Sequence, residues 1–153
     1  NRMRLPLETA AAVRAVLPDD MPLFVRLSAT DWVDGGWDLE QSVVFSGELS
    51  KIGVDLIDVS TGGLVPDAKI PVAPGFQVPF AAAIRERAKV MTSAVGLITG
   101  PAQAEEIVES GKADLVMLGR QMLREPYWAL RAAEELGCAP NWPVQYGYAV
   151  RRR

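Results

Sequence analysis

Four short apolar runs punctuate the chain, and helical periodicities lie between them. The runs are Leu23-Phe24-Val25-Arg26-Leu27, Val54-Asp55-Leu56-Ile57-Asp58-Val59, Ser93-Ala94-Val95-Gly96-Leu97-Ile98 and Asp114-Leu115-Val116-Met117-Leu118. Each is short, bounded by polar residues or glycine, and dense in branched side chains. That is how a strand buried on both faces of a parallel sheet reads. Residues 7–17 carry Leu7, Ala11, Val13, Ala15, Val16 and Leu17 at helical spacing, and Pro18 stops them. Residues 39–52 carry Leu39, Val43, Val44, Leu49 and Ile52, with Gly53 placed as a C-cap. Residues 79–88 hold Phe80, Ala83, Ile84 and Ala88 on one helical face. Pro101 opens a helix with Ala104, Ile107 and Val108 inward and Gly111 beyond its end. Pro126 opens the last, with Leu130, Ala133 and Leu136 inward and Gly137 as cap.

The order is a helix followed by four strand–helix units, the spacing of βαβ repeats. Two connections are long, Ser28 to Asp38 and Ser60 to Gln77, and both follow the C-terminal end of a strand. Loops of that length inside a compact domain usually carry function. The pattern fits two architectures, a small open doubly wound sheet or half of a (β/α)8 barrel. A complete barrel takes about 250 residues, and this chain has 153.

Composition narrows the chemistry. There is no histidine, which removes Ser-His-Asp and Cys-His catalysis and most zinc sites if the chain acts alone. The single cysteine, Cys138, precludes a disulfide within the chain, reads as an inert thiol, and favours a cytoplasmic setting. The net charge of −3 shows no basic stripe for nucleic acid, and the run Arg151–Arg153 reads as a solvated end. No apolar stretch approaches the roughly 20 residues that span a bilayer, and no signal peptide is visible. The chain begins with Asn1 rather than Met, which suggests a piece of something longer. The tryptophans at 32, 37, 128 and 142 read as packing residues, and Met117 and Met122 as core. Glu105-Glu106 and Glu134-Glu135 read as solvated helix faces.

In both architectures ligands bind at the C-terminal ends of strands. Arg26 is a permanent cation inside an apolar run, so it needs an anionic or electron-rich partner. That partner is either a ligand or a strand carboxylate such as Asp58. Gly62 and Gly63 allow close backbone approach or simply make a turn. Gly96 ends the third strand. Gly119-Arg120 ends the fourth, where bare backbone and a guanidinium fork suit a phosphate, or else a helix cap.

Seven segments, in order, resemble the Old Yellow Enzyme family, and most closely its bacterial branch of NADPH dehydrogenases and xenobiotic reductases. They are Asn1-Arg2-Met3-Arg4-Leu5, Phe24-Val25-Arg26-Leu27-Ser28-Ala29, Val54-Asp55-Leu56-Ile57-Asp58-Val59-Ser60, Ala94-Val95-Gly96-Leu97-Ile98, Ala113-Asp114-Leu115-Val116, Gly119-Arg120 and Pro143-Val144-Gln145-Tyr146. The resemblance implies an FMN-binding (β/α)8 barrel, of which residues 1–153 would be the C-terminal half, strands five to eight with their helices. It implies FMN as cofactor, NADPH or NADH as hydride donor and an activated alkene such as an enone as substrate. It assigns Arg26 to the flavin ring, where a fixed cation tunes the redox step. It assigns Gly96, Gly119 and Arg120 to the FMN phosphate, and Arg124 to a subunit interface of a homo-oligomer. No metal and no complete catalytic set fall within the chain, which alone should be inactive.

Some positions depart from the family pattern. Tyr148 stands where several relatives carry an arginine that enters the neighbouring subunit's site. Ser93 replaces a common glycine, and Gln121 a common glutamate. The main alternative is a non-catalytic half-barrel that binds flavin or phosphate only on association with a complementary half. A flavin barrel of lactate-dehydrogenase type fits less well, given Arg26-Leu27-Ser28-Ala29 and Pro143 to Tyr146. A half-barrel would also leave two unpaired sheet edges, an association hazard.

Overall fold

A computed structural model describes residues 1–150, so Arg151–Arg153 lie outside the described residues. The elements run α1 (Arg4–Val16), β1 (Phe24–Ser28), α2 (Leu39–Ile52), β2 (Leu56–Ser60), α3 (Val78–Ala88), β3 (Met91–Ala94), α4 (Pro101–Glu109), β4 (Leu115–Val116), α5 (Arg120–Arg124) and α6 (Trp128–Glu135). A single 3-10 turn, Val144–Tyr146, follows. The third and fourth strands are shorter than their apolar runs. Gly96 and Leu97 take positive φ and turn the chain out of the sheet. The fourth ends at Val116, ahead of Met117 and Leu118.

The four strands are parallel and lie in the order β1-β2-β3-β4. A doubly wound sheet reverses its order at a switch point, and this sheet does not. Successive right-handed crossovers running in one direction place their helices on one face. Accordingly α2 packs beside both α1 and α3. Val25, Leu27, Ile57, Val59 and Ala94 face those helices and join Phe45, Leu49, Ala81, Ile84, Ala104 and Ile107 in the core. The opposite face carries the alternate residues, in the rows Phe24–Leu56–Met91 and Arg26–Asp58–Ser93–Leu115. At its centre Leu56 and Ser93 are buried, at 1% and 0% exposed, and its outer residues are open. Phe24, Met91 and Leu115 are 47%, 51% and 44% exposed. β1 and β4 form its two edges.

Helix ends follow the chain's punctuation. Asp38 accepts the Gln41 N–H at 2.8 Å as N-cap of α2, and Gly53 closes that helix at φ 96°. The inward faces differ in places from the periodicity. α2 buries Ser42, Phe45, Ser46 and Leu49, leaving Val44 exposed. Ser42 is tolerated because its hydroxyl donates to the Ala29 carbonyl at 2.8 Å and accepts the Trp37 indole N–H at 2.6 Å. α1 turns Ala10 inward and leaves Val13 and Val16 exposed. Val108 and Leu136 are exposed, and α6 buries Trp128 and Ala132 instead. Met122 is not core but exposed, because the loop after β4 forms α5 on the surface.

At the N-terminal ends of the strands, an aspartate ties each alternate junction. Asp55 accepts the Leu23 N–H at 2.8 Å, and Asp114 accepts the Thr92 N–H at 2.9 Å. Asp114 also receives Arg85, whose Nε and Nη2 lie 3.0 and 2.9 Å from its Oδ1. Burial pushes this carboxyl's pKa up, but the Arg85 hydrogen bonds and charge and the Thr92 N–H outweigh it and hold it below the usual range. A depressed folded-state pKa contributes stability above the unfolded value that is lost as pH falls through the folded one. The urea midpoint should therefore fall below about pH 4. Asp114→Asn should lower stability at neutral pH and flatten the remaining dependence on acid.

Candidate functional site

The C-terminal ends of β3 and β4 open into one groove of about 200 Å³. Val95, Gly96, Leu97 and Thr99 line one side, and Met117, Gly119, Arg120, Gln121 and Arg124 the other. Three residues singled out from the sequence, Gly96, Gly119 and Arg120, thus meet in one place. Arg124, assigned by resemblance to a subunit interface, stands beside them.

The groove presents donors. The Val95 carbonyl accepts the Gln77 side-chain N–H at 2.9 Å. A trans peptide points its N–H opposite its carbonyl, so the Gly96 N–H is turned away from Gln77, towards the groove. The Gly96 carbonyl accepts the Gly75 N–H at 2.9 Å, and the same geometry turns out the Leu97 N–H. Positive φ at both, 119° and 51°, makes the consecutive presentation possible. Neither N–H has a hydrogen-bond partner among the described residues, and neither do those of Gly119 and Arg120. At Gly119 an added Cβ would meet no atom within 4 Å. No packing inside the chain therefore requires glycine there, whereas a ligand pressed against bare backbone would. Two outward N–H groups, two more without partners at Gly119 and Arg120, and the Arg120 and Arg124 guanidiniums make a receptor for a compact anion.

Arg26 lies elsewhere, on the uncovered face of β1. Its Nε donates to Asp58 Oδ2 at 2.6 Å, and Ser93 Oγ donates to Asp58 Oδ1 at 2.8 Å. The salt-bridge alternative for Arg26 is therefore present. It uses only Nε, and the two terminal nitrogens have no partner among the described residues. The side chain is 60% exposed. From strand spacing, Ser93 lies about 10 Å across the sheet from Arg26, and Gly96 a further ~10 Å along β3. One ligand could touch both only if it were elongated, with an anion at one end and an electron-rich edge at the other.

Residues 1–138 match the NADH:flavin oxidoreductase / NADH oxidase family. The chain belongs to that family. It is 52% identical to an NADPH dehydrogenase of Geobacillus sp. strain WCH70, over 95% of this chain and 42% of the relative. It is 48% identical to an NADPH dehydrogenase of Halalkalibacterium halodurans, over 97% of this chain and 43% of the relative. The chain thus spans about two fifths of the length of these relatives. Among solved structures, a 2-naphthoyl-CoA reductase in complex with 2-naphthoyl-CoA superposes with TM-score 0.76 and 25% identity. That match covers 90% of this chain and 21% of the other. A rhamnonate dehydratase from Gibberella zeae superposes with TM-score 0.57 at 12% identity over 95% of this chain and 33% of that one, a likeness of fold alone.

In this member of the family the residue that sequence reasoning missed is Gln77. It is a buried polar side chain, 5% exposed, at the N-cap of α3. Its signal was its place between Gly75 and Pro79 at the end of a long loop. Thr61 Oγ1 donates to its Oε1 at 2.7 Å, so it ties the loop after β2 to the loop after β3. Gly62 and Gly63 do take positive φ, yet an added Cβ at Gly62 would lie 2.7 Å from Ile70, so packing accounts for that glycine. The tryptophans pack: Trp32 on Phe80, Trp37 on Phe45, and Trp142 in a cluster with Tyr127 and Tyr146. Trp128 is buried. Cys138 is exposed. Among the described residues no helix is long and apolar enough to cross a membrane, and no three potential ligands cluster for a metal.

Proposed function

We propose that this chain supplies strands five to eight, with their helices, of an FMN-dependent (β/α)8 barrel. The whole protein is then a cytoplasmic NADPH-dependent ene-reductase. The observation that carries the reading is the groove between β3 and β4, where four N–H groups without partners among the described residues lie beside the Arg120 side chain. These residues fit a phosphate monoester, and Arg26 fits the electron-rich edge of the isoalloxazine ring. Bound there, FMN would supply the hydride-transfer chemistry that links NADPH, or NADH, as donor to the β-carbon of an activated alkene such as an enone. Gly96, Gly119 and Arg120 hold the phosphate end, and Arg26 keeps a permanent positive charge beside the ring. The residues that anchor the substrate and deliver its proton lie outside these 153 residues. Arg124, at the rim of the groove, is placed for contact with a second subunit of a homo-oligomer.

The test is a chimera in which this chain replaces the matching two fifths of the Geobacillus relative. A yellow protein that oxidises NADPH with cyclohexenone is the expected result. A folded chimera without flavin would overturn the assignment. Arg120→Ala should raise the FMN dissociation constant about 10- to 100-fold, as loss of a charge-assisted bond implies. Riboflavin, which lacks the phosphate, should be unaffected. The second reading is a non-catalytic half-barrel that binds flavin only after association, favoured by the uncovered face and two free edges. It requires the chimera to bind flavin yet leave NADPH unoxidised.

A further inference from the structure

We infer that Gln77 is the positioning residue of the phosphate groove, which makes the chain prefer a phosphorylated flavin. The inference rests on the phosphate reading of that groove. Gln77 makes no contact with the groove's cavity, whose lining does not include it. It acts through the peptide bond between Val95 and Gly96. Its amide N–H holds the Val95 carbonyl at 2.9 Å and thereby fixes the opposite direction for the Gly96 N–H. Its amide oxygen is oriented in turn by Thr61 Oγ1 at 2.7 Å, with Ser60 Oγ at 3.4 Å. The Val95 carbonyl only accepts, so it fixes which end of the amide faces it, and the two hydroxyls donate to the other end. An amide oxygen turned towards that carbonyl would repel it, and the peptide would be free to rotate its N–H out of the groove.

The same side chain also limits the backbone sterically. A Cβ on Gly96 would lie 2.7 Å from Gln77 Nε2 and 3.2 Å from Gln77 Cγ. Gly96 therefore packs directly on the Gln77 side chain, and its φ of 119° is held from behind. Packing at this distance and a hydrogen bond from the same residue leave the loop one orientation. Donors fixed before the ligand arrives bind more tightly than donors that must be ordered on binding. The effect falls mainly on the anion, because Gln77 makes no contact with Arg26 and reaches the sheet face where the ring would lie only through Ser60 Oγ at 3.4 Å.

The test uses the chimera with the Geobacillus relative, in which the barrel is whole and this chain supplies Gln77 and the groove. FMN and riboflavin are titrated separately, with flavin fluorescence and protein NMR shifts as readouts. The unsubstituted chimera should bind FMN about tenfold or more tightly than riboflavin. Gln77→Leu, which keeps bulk but loses both hydrogen bonds, should reduce that ratio about fivefold, the remainder being held by Arg120. Gln77→Glu should do the same, since a carboxylate cannot donate to the Val95 carbonyl. Thr61→Val, which leaves the amide oxygen without its closest donor and loosens the side chain, should give an intermediate ratio and guards against failure of the Gln77 variants to fold. A purely structural role would weaken both ligands equally and leave the ratio unchanged. Variants that keep the unsubstituted ratio would overturn the inference alone. An unsubstituted chimera that does not discriminate FMN from riboflavin would overturn the phosphate reading beneath it.

Discussion

Gly96→Ala should destabilise the fold by about 2–4 kcal/mol and loosen the groove with it. Two independent costs add. A φ of 119° is strained for any residue with a Cβ. The new methyl would also lie 2.7 Å from Gln77 Nε2 and 3.0 Å from Phe76 Cε1, closer than packed atoms sit. The neighbours cannot retreat freely, because Gln77 is bonded to Thr61 and Val95 on both sides. Removing the amide should relieve only part of the damage. In the double variant Gly96→Ala, Gln77→Ala the steric cost falls while the dihedral cost stays, so the two single effects should not add. Urea denaturation of the four proteins reads this directly. Strict additivity would show that Gln77 does not press on Gly96.

Ile57→Ala should cost about 2–5 kcal/mol, a large part of a domain's stability. Ile57 is 0% exposed, in the middle of β2, with Val25 and Thr92 beside it in register. Neighbours on both flanks and helices above leave little room to collapse into the space. The urea midpoint should drop with little change in slope. Val44→Ala, one turn from the core face of α2 but exposed, should stay within about 0.5 kcal/mol. Equal losses at the two positions would mean that the helix layer is packed differently from this account.

The strand–helix alternation was legible because each strand run is short and each helix has its own stop signal. α2 was read to the residue: Gly53 marked its C-cap in the sequence, and the structure adds Asp38 as its N-cap. Helix faces were less legible. At α2 the buried positions include Ser42 and Ser46, and the partner that makes a buried Ser42 acceptable, the Ala29 carbonyl, lies in a different element. No window of local sequence contains it. The same holds at the site. Glycine and arginine at strand ends were visible as residue types in the right places. Gln77 was not, because its significance lies in a carbonyl 18 residues away that it turns. For Arg26 the sequence left two partners open. The structure supplies Asp58 through a single nitrogen and leaves the fork's other two donors unpaired among the described residues.

The strand order carries a kinetic consequence. Every strand's neighbour in the sheet is the next strand in the chain. Phe24 pairs with Leu56, Leu56 with Met91 and Ser93 with Leu115. Contacts so near in sequence close small loops, and loop-closure entropy grows only slowly with length, about 0.6 kcal/mol per doubling. Such a topology can be assembled one strand–helix unit at a time, each new unit docking on the last. An interruption of the chain between two units would then remove one covalent link without rerouting the order in which the remaining units dock.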